Sequence, residues 1–332
     1  MPEDALHRLV RHPPPLPVVE GIPSLLRAVQ RAGTAVLQAP PGTGKTTLVP
    51  PALAVDHPGR VVVAEPRRLA ARAAARRLAA LLGEPVGTTA GYAVRGERRA
   101  GPATRVEVVT TGVLLRRLQR DPELPGVAAV VLDECHERHL DADLLLALLV
   151  DVRTNLRDDL RLVAMSATVE ADRTAEVVGG ADGAAPVVEV PGTSFPVDVV
   201  WSPPPPRVRR TDERGVTPAY LDHVAATVRS ALAERAGDVL VFLPGAGEVS
   251  GVVRRLGGVD ADVRPLHGRL PAREQDAALT PGPRRRVVVS TAVAESSVTV
   301  PGVRVVVDAG LARQPRTDHR RGLAGLVTVL AS

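Results

Sequence analysis

The stretch APPGTGKTTLVP, residues 39 to 50, holds the only lysine among the 42 lysine and arginine residues of a 332-residue chain. Directly after the apolar run TAVLQAP it reads Gly42-Thr43-Gly44-Lys45-Thr46-Thr47. Paired glycines let successive backbone N–H groups turn the same way, and at the start of a helix those groups face an anion. A neighbouring lysine adds a compact three-donor ammonium, whereas arginine carries a longer planar fork. Lysine thus stands at the one position where the two cations are geometrically unequal. These six residues form a candidate phosphate-binding loop, with the Thr46 hydroxyl available to a metal ion. Ala39 occupies the position where the strict eight-residue pattern begins with glycine, so the match rests on its GxGK[ST] part.

A phosphate loop needs a metal partner at the end of a neighbouring apolar strand. VAAVVLDECHER supplies one: Asp133 ends the run, placed to hold Mg²⁺ through water together with Thr46. Glu134 follows as a candidate base or water-orienting group. Two adjacent carboxylates at a strand end could instead cap a helix. Cys135 reads as a small buried residue rather than a nucleophile. A phosphate-bearing ligand with Mg²⁺ is the expectation, and the resemblance given below makes that ligand ATP.

The elements that must carry these residues alternate. Valine-rich runs at 34–40, 60–66, 105–110, 127–133 and 160–166, and again at 238–244, 259–267, 284–291 and 304–310, read as buried strands. Helical patterns lie between them, the clearest being RRLAARAAARRLAALLG, with arginines on one face and Gly83 as its stop. Such alternation implies an α/β fold whose mostly parallel sheets are flanked by helices. The pattern weakens near 175–195 and in the proline-rich 203–206 loop. This divides the chain into an N-terminal segment 1–20, a first domain 21–180 and a second domain 190–332.

Composition sets the outer limits. A hydrophobic fraction of 45% with 24% charged residues is globular. Neither a secretory leader nor a membrane-length apolar run is expected, and the lone Cys135 leaves no internal disulfide partner. A reducing, cytoplasmic compartment follows as the expectation. The net charge of +5 is compatible with a polyanionic partner.

At this point the motifs carry a family resemblance. DECH at 133–136 resembles the DEAH box of superfamily 2 helicases, and MSAT, ending at Thr168, resembles their motif III. EPRRLAAR (65–72) is similar to motif Ia, TTGVLLRRL (110–118) to Ib, VFLPGAGEV (241–249) to IV, and STAVAESSVTVPGVRVVVDAG (290–310) to V. Within the family, the bacterial HrpB-type ATP-dependent RNA helicases are most similar. The resemblance implies two tandem RecA-like domains forming an ATP-dependent motor on single-stranded nucleic acid, RNA by kinship. It assigns catalysis to Asp133, Glu134 and His136. Ser166, Thr168 and Glu295 would couple the nucleotide site to the cleft between the domains. Arg67, Arg68, Thr110 and Thr111 would touch the nucleic-acid backbone from domain 1, and Thr291 from domain 2. Arg67 and Arg68 could instead be solvated, and Thr110 and Thr111 could merely cap the helix that follows.

In this scheme ATP on domain 1 draws domain 2 across the cleft, and a bound strand feels each closure as a step. Aromatic residues make up only 2% of the chain, too few for a stacking platform, so contacts should be to phosphate and sugar with little sequence preference. The family's arginine-rich motif VI should follow GLAGLVTVLAS, where the chain stops. Arg313, Arg316, Arg320 and Arg321 precede that position. The sequence therefore also admits an alternative: a truncated, nucleotide-dependent nucleic-acid-binding fragment with little hydrolysis.

Overall fold

The structure, a computed structural model, describes residues 4–167, 171–192, 195–295, 299–318 and 323–331. The chain divides into two compact units, Met1–Phe195 and Pro196–Ser332.

In the first unit the valine-rich runs become strands: β1 (Thr34–Gln38), β2 (Arg60–Glu65), β5 (Val106–Thr110), β6 (Val127–Leu132) and β7 (Arg161–Ser166). Three further strands had no expectation in the sequence: the hairpin β3 (Ala90–Val94) and β4 (Glu97–Arg99), and the short β8 (Val187–Glu189). The sheet order is β4-β3-β5-β2-β6-β7-β1-β8, parallel throughout except for the β3–β4 pair.

Alternate residues of each central strand enter opposite cores, as strand geometry requires. Ala35, Leu37, Val61, Val63, Val131 and Val163 pack with α1 (Ala5–Arg11), α2 (Ile22–Ala32), α3 (Lys45–Asp56) and α4 (Arg68–Leu82). Val36, Val62, Val130 and Leu162 pack with α5 (Thr111–Arg120), α6 (Leu140–Asn155) and α7 (Ala171–Gly179). Helices cover both faces, so the strands read as unbroken apolar runs rather than alternating ones. Helix α4 ends at Gly83 in the left-handed region, φ 70°. Its arginines do not all share a solvated face, however: Arg72 turns inward and meets Glu97 at 3.4 Å.

The second unit has a parallel sheet of order β12-β13-β11-β14, from β11 (Asp238–Phe242), β12 (Asp262–Leu266), β13 (Arg286–Ser290) and β14 (Val303–Asp308). Two antiparallel pairs accompany it: β9 (Thr211–Asp212) with β10 (Gly215–Val216), and β15 (Leu311–Asp318) with β16 (Leu323–Leu330). Val239, Val241, Val287 and Val289 pack against α8 (Pro218–Glu234) and α9 (Ala246–Arg255), while α10 (Ala272–Leu279) precedes β13. Buried Arg286 ties β13 to β11 through Asp238 at 2.7 Å. Among the described residues, no helix is long and apolar enough to cross a membrane.

The first sheet also buries a carboxylate. Glu107 of β5 is fully enclosed, with Arg117 at 2.7 Å, Arg60 at 3.0 Å and Arg98 at 3.5 Å. Burial alone would raise its pKa. The guanidinium groups of Arg117, Arg60 and Arg98 outweigh it and hold the carboxyl below its usual range. Glu107→Ala leaves three cations around an uncompensated cavity and should cost about 3 kcal/mol in urea unfolding. The wild-type contribution is present above the ordinary carboxylate pKa and fades as pH falls through the lowered one.

Candidate nucleotide site

Four adjacent parallel strands, β2, β6, β7 and β1, end nearly level: Ala64 pairs with Leu132, Leu132 with Ala164, and Gln38 with Ser166. The segments that follow them carry the chemistry.

After β1 the chain turns through Gly42 (φ 79°) and Gly44 (φ 91°) into α3 at Lys45. Left-handed backbone at these positions favours glycine. The Lys45 and Thr46 N–H groups open α3 with no helical carbonyl behind them and point out of its N-terminus. Thr43 is buried, its hydroxyl donating to the carbonyl of Pro40 at 2.8 Å. Thr47 sits in the first turn, its N–H bonded to the carbonyl of Gly44 at 3.0 Å.

After β6 the Asp133 carboxylate meets this loop. Thr46 Oγ1 donates to Asp133 Oδ2 at 2.5 Å, and Lys45 Nζ lies 3.6 Å from Glu134 Oε1. The Glu134 backbone is left-handed, φ 53° and ψ 37°, uncommon for a residue with a side chain. Its N–H bonds its neighbour's Asp133 Oδ1 at 2.9 Å, and a short 3₁₀ turn, Cys135–Glu137, follows.

His136 joins β6 to β7. Its Nδ1 accepts the N–H of Ala167 at 3.2 Å, so in the neutral ring the proton sits on Nε2, which lies 3.2 Å from Glu134 Oε2. Burial, then the Lys45 charge, lowers the His136 pKa and favours that neutral ring. Ser166 is buried at the end of β7, its carbonyl accepting from Ala39 N at 2.9 Å. Thr168, its expected partner, lies outside the described residues. Cys135 is unreactive here: burial, then Asp133, pushes its thiol up to about 12.

One acid at this site escaped the sequence reading. Glu65 ends β2, is 3% exposed, and its Oε2 has no hydrogen-bond partner. Burial first, then Asp133 and Glu134, raises its pKa well above the carboxylate range, against the pull of Lys45. Its signal in the sequence is the same as that of Asp133, a carboxylate closing a buried apolar strand. Glu137 likewise links two motifs, holding Arg67 at 2.8 Å and His139 at 2.8 Å.

The other expected residues are spread around the units. Arg68 is exposed at the start of α4. Thr110 and Thr111 are largely buried, and Thr111 Oγ1 donates to the Glu65 carbonyl at 3.3 Å. In the second unit Thr291 follows β13, its N–H bonded to the Leu266 carbonyl at 3.2 Å, and Glu295 is exposed one short turn later. Arg313 lies 3.5 Å from Glu248 and Arg316 is exposed, while Arg320 and Arg321 fall outside the described residues.

Three carboxyls around one lysine leave an excess of hard oxygen donors. One carboxylate and one hydroxyl converging at 2.5 Å suit Mg²⁺, which takes few protein ligands and keeps water or phosphate in its other positions.

The crowding has a measurable consequence. Burial first, then Asp133, raises the Glu134 pKa from 4.5 to about 7, Lys45 opposing. The folded state thus binds this proton more tightly than the unfolded chain, and stability falls as pH rises from 4.5 towards 7. Free of nucleotide and metal, Glu134→Gln should be more stable than the parent by roughly 1–3 kcal/mol at about pH 8. In thermal unfolding that gain should vanish near the ordinary carboxylate pKa.

Known proteins share this layout. Residues 20–177 match the family model described as DEAD/DEAH box helicase, and residues 221–325 match the helicase conserved C-terminal domain. The chain is 46% identical over 321 residues to the ATP-dependent RNA helicase HrpB of Escherichia coli, covering 94% of this chain and 38% of that protein. It is 32% identical over 329 residues to the probable ATP-dependent RNA helicase DHX34 of Homo sapiens, covering 97% of this chain and 28% of that one. The crystal structure of the Escherichia coli DEAH/RHA helicase HrpB superposes with a TM-score of 0.84 at 45% identity, over 96% of this chain and 40% of the other. The chain therefore spans well under half the length of these relatives. With a GTGKTT loop facing a DECH segment in one unit and a matching helicase domain in the next, the chain belongs to the DEAD/DEAH box helicase family.

Proposed function

We propose that this chain is the ATP-hydrolysing motor core of a helicase that moves on single-stranded nucleic acid, RNA by kinship with its relatives, in the cytoplasm. The observation that carries the reading is the pair of contacts Thr46–Asp133 and Lys45–Glu134 at the N-terminus of α3.

In this reading Gly42, Thr43, Gly44, Lys45 and Thr46 bind the triphosphate through backbone N–H groups and the Lys45 ammonium, and Thr47, its N–H engaged with Gly44, through its hydroxyl. Thr46 and Asp133 would hold Mg²⁺, which when bound supplies positive charge to the phosphate oxygens. Glu134 orients the attacking water and takes its proton, and a pKa near neutrality suits that task. His136 holds Glu134 through Nε2–H while its Nδ1 is tied to Ala167. A shift at the end of β7, where Ser166 and Ala167 lie, would thus reach Glu134 through one ring; Thr168 and Glu295 would complete this coupling.

Nucleic acid would be held by its backbone. Arg68 is free to reach a phosphate, and Arg67 is aimed by Glu137. The Thr111 hydroxyl is engaged with Glu65, so contact at 110–111 would run through the N–H groups opening α5. Thr291 would add a contact from the second unit.

ATP turnover with and without single-stranded RNA tests the whole reading, and stimulation by RNA is the expected result. Lys45→Ala should abolish nucleotide binding in a titration. Glu134→Gln should bind ATP normally and lose about 10²- to 10⁴-fold in turnover. Affinity for a single strand should fall steeply with salt, because phosphate contacts release counterions. Equal turnover in the Glu134→Gln enzyme would remove that residue from catalysis.

A further inference from the structure

The N-terminal segment before α2 has no part in the chemistry above, yet it rests against the phosphate loop. The Val18 N–H donates to the Thr43 carbonyl at 3.1 Å, and Val18 is fully buried. Leu16 packs on Gly44. A Cβ placed on that glycine would lie 2.6 Å from Leu16 Cδ1 and 3.0 Å from its Cβ.

The segment is itself held rigidly. Leu16 is extended and precedes Pro17, which opens a 3₁₀ turn, Pro17–Glu20, with its φ preset. Gly21 closes the turn against Val190, where a Cβ would come within van der Waals radii of Val190 Cγ2. Upstream, Leu6 and Leu9 of α1 enter the core that holds Leu48 and Leu53 of α3. Leu16 and Val18 thus clasp the loop from outside its own strand and helix, while α1 meets α3 only along its body. Gly44 meets two demands, a φ of 91° and the Leu16 side chain against its face.

We propose that Leu16–Val18 is a positioning element for the phosphate loop. It holds Thr43 and Gly44 in their phosphate-binding conformation before nucleotide arrives. A loop that must be ordered on binding loses affinity by the cost of that ordering, so a brace acts on nucleotide affinity without touching nucleotide. Leu16 acts through Gly44, and Val18 through the Thr43 carbonyl. This inference rests on the reading of residues 42–47 as a nucleotide site.

The test is titration with a ribose-labelled fluorescent ATP and Mg²⁺, with thermal unfolding of every variant, on the full chain. Leu16→Ala should weaken binding roughly 5- to 20-fold, and Leu16→Met should restore it. Leu9→Ala, which opens a cavity in the core shared by α1 and α3, should lower Tm by more than Leu16→Ala and leave affinity within about twofold. Leu16→Ala binding as tightly as the parent overturns the proposal. So does Leu9→Ala weakening binding as much as Leu16→Ala, since affinity would then merely follow stability. Lys45→Ala binding as tightly as the parent would sink the nucleotide-site reading itself, a failure distinct from that of the brace.

Discussion

The first unit depends on four parallel strands ending level. Hydrogen bonding between β1 and β7, β7 and β6, and β6 and β2 sets their mutual register, and that register brings residue 46 within 2.5 Å of residue 133. A one-residue slip of β6 would turn its apolar side chains to the wrong cores and move Asp133 away from the loop. Two hydrophobic cores, one on each sheet face, oppose that slip. The Thr46–Asp133 contact is therefore held by valines that never approach it.

What the packing gains, the site partly gives back. Glu65, Asp133 and Glu134 cluster around Lys45, and burial drives two of these acids towards their protonated forms. Glu134 also sits in left-handed backbone, and Glu65 has a buried oxygen without a hydrogen-bond partner. Left-handed backbone and crowded carboxyls thus gather where these parallel strands end. Elsewhere in the same sheet a buried acid is treated differently. Glu107 has three arginines and a lowered pKa, a carboxylate neutralised for stability.

His136 shows how such a site can report on its neighbours. The backbone bond from Ala167 selects one tautomer, and that tautomer presents a proton to Glu134. A neutral ring in a half-buried position thus carries directional information between two strand ends. An exposed histidine would adopt either tautomer and carry none.

Much of this was legible before the fold was known. Valine runs marked nine strands of the two parallel sheets within a few residues, because strands covered on both faces must be apolar throughout. The GxGKTT and DECH segments set the expectation of phosphate and metal chemistry, and the fold brings them together at Thr46 and Asp133 and at Lys45 and Glu134. The hairpin β3–β4 was not legible: AGYAVRGERR has no valine run, and its turn depends on Gly96 in the left-handed region. Nor were Glu65 and Leu16, because a strand-ending acid and a leucine before proline acquire meaning only from what stands beside them. Residue type and local spacing determined which residues are candidates for chemistry and which segments are strands. The tertiary structure alone decided which acid faces the lysine, which tautomer His136 adopts and what packs against the loop. Those depend on contacts between residues far apart in the chain, and no local pattern encodes them.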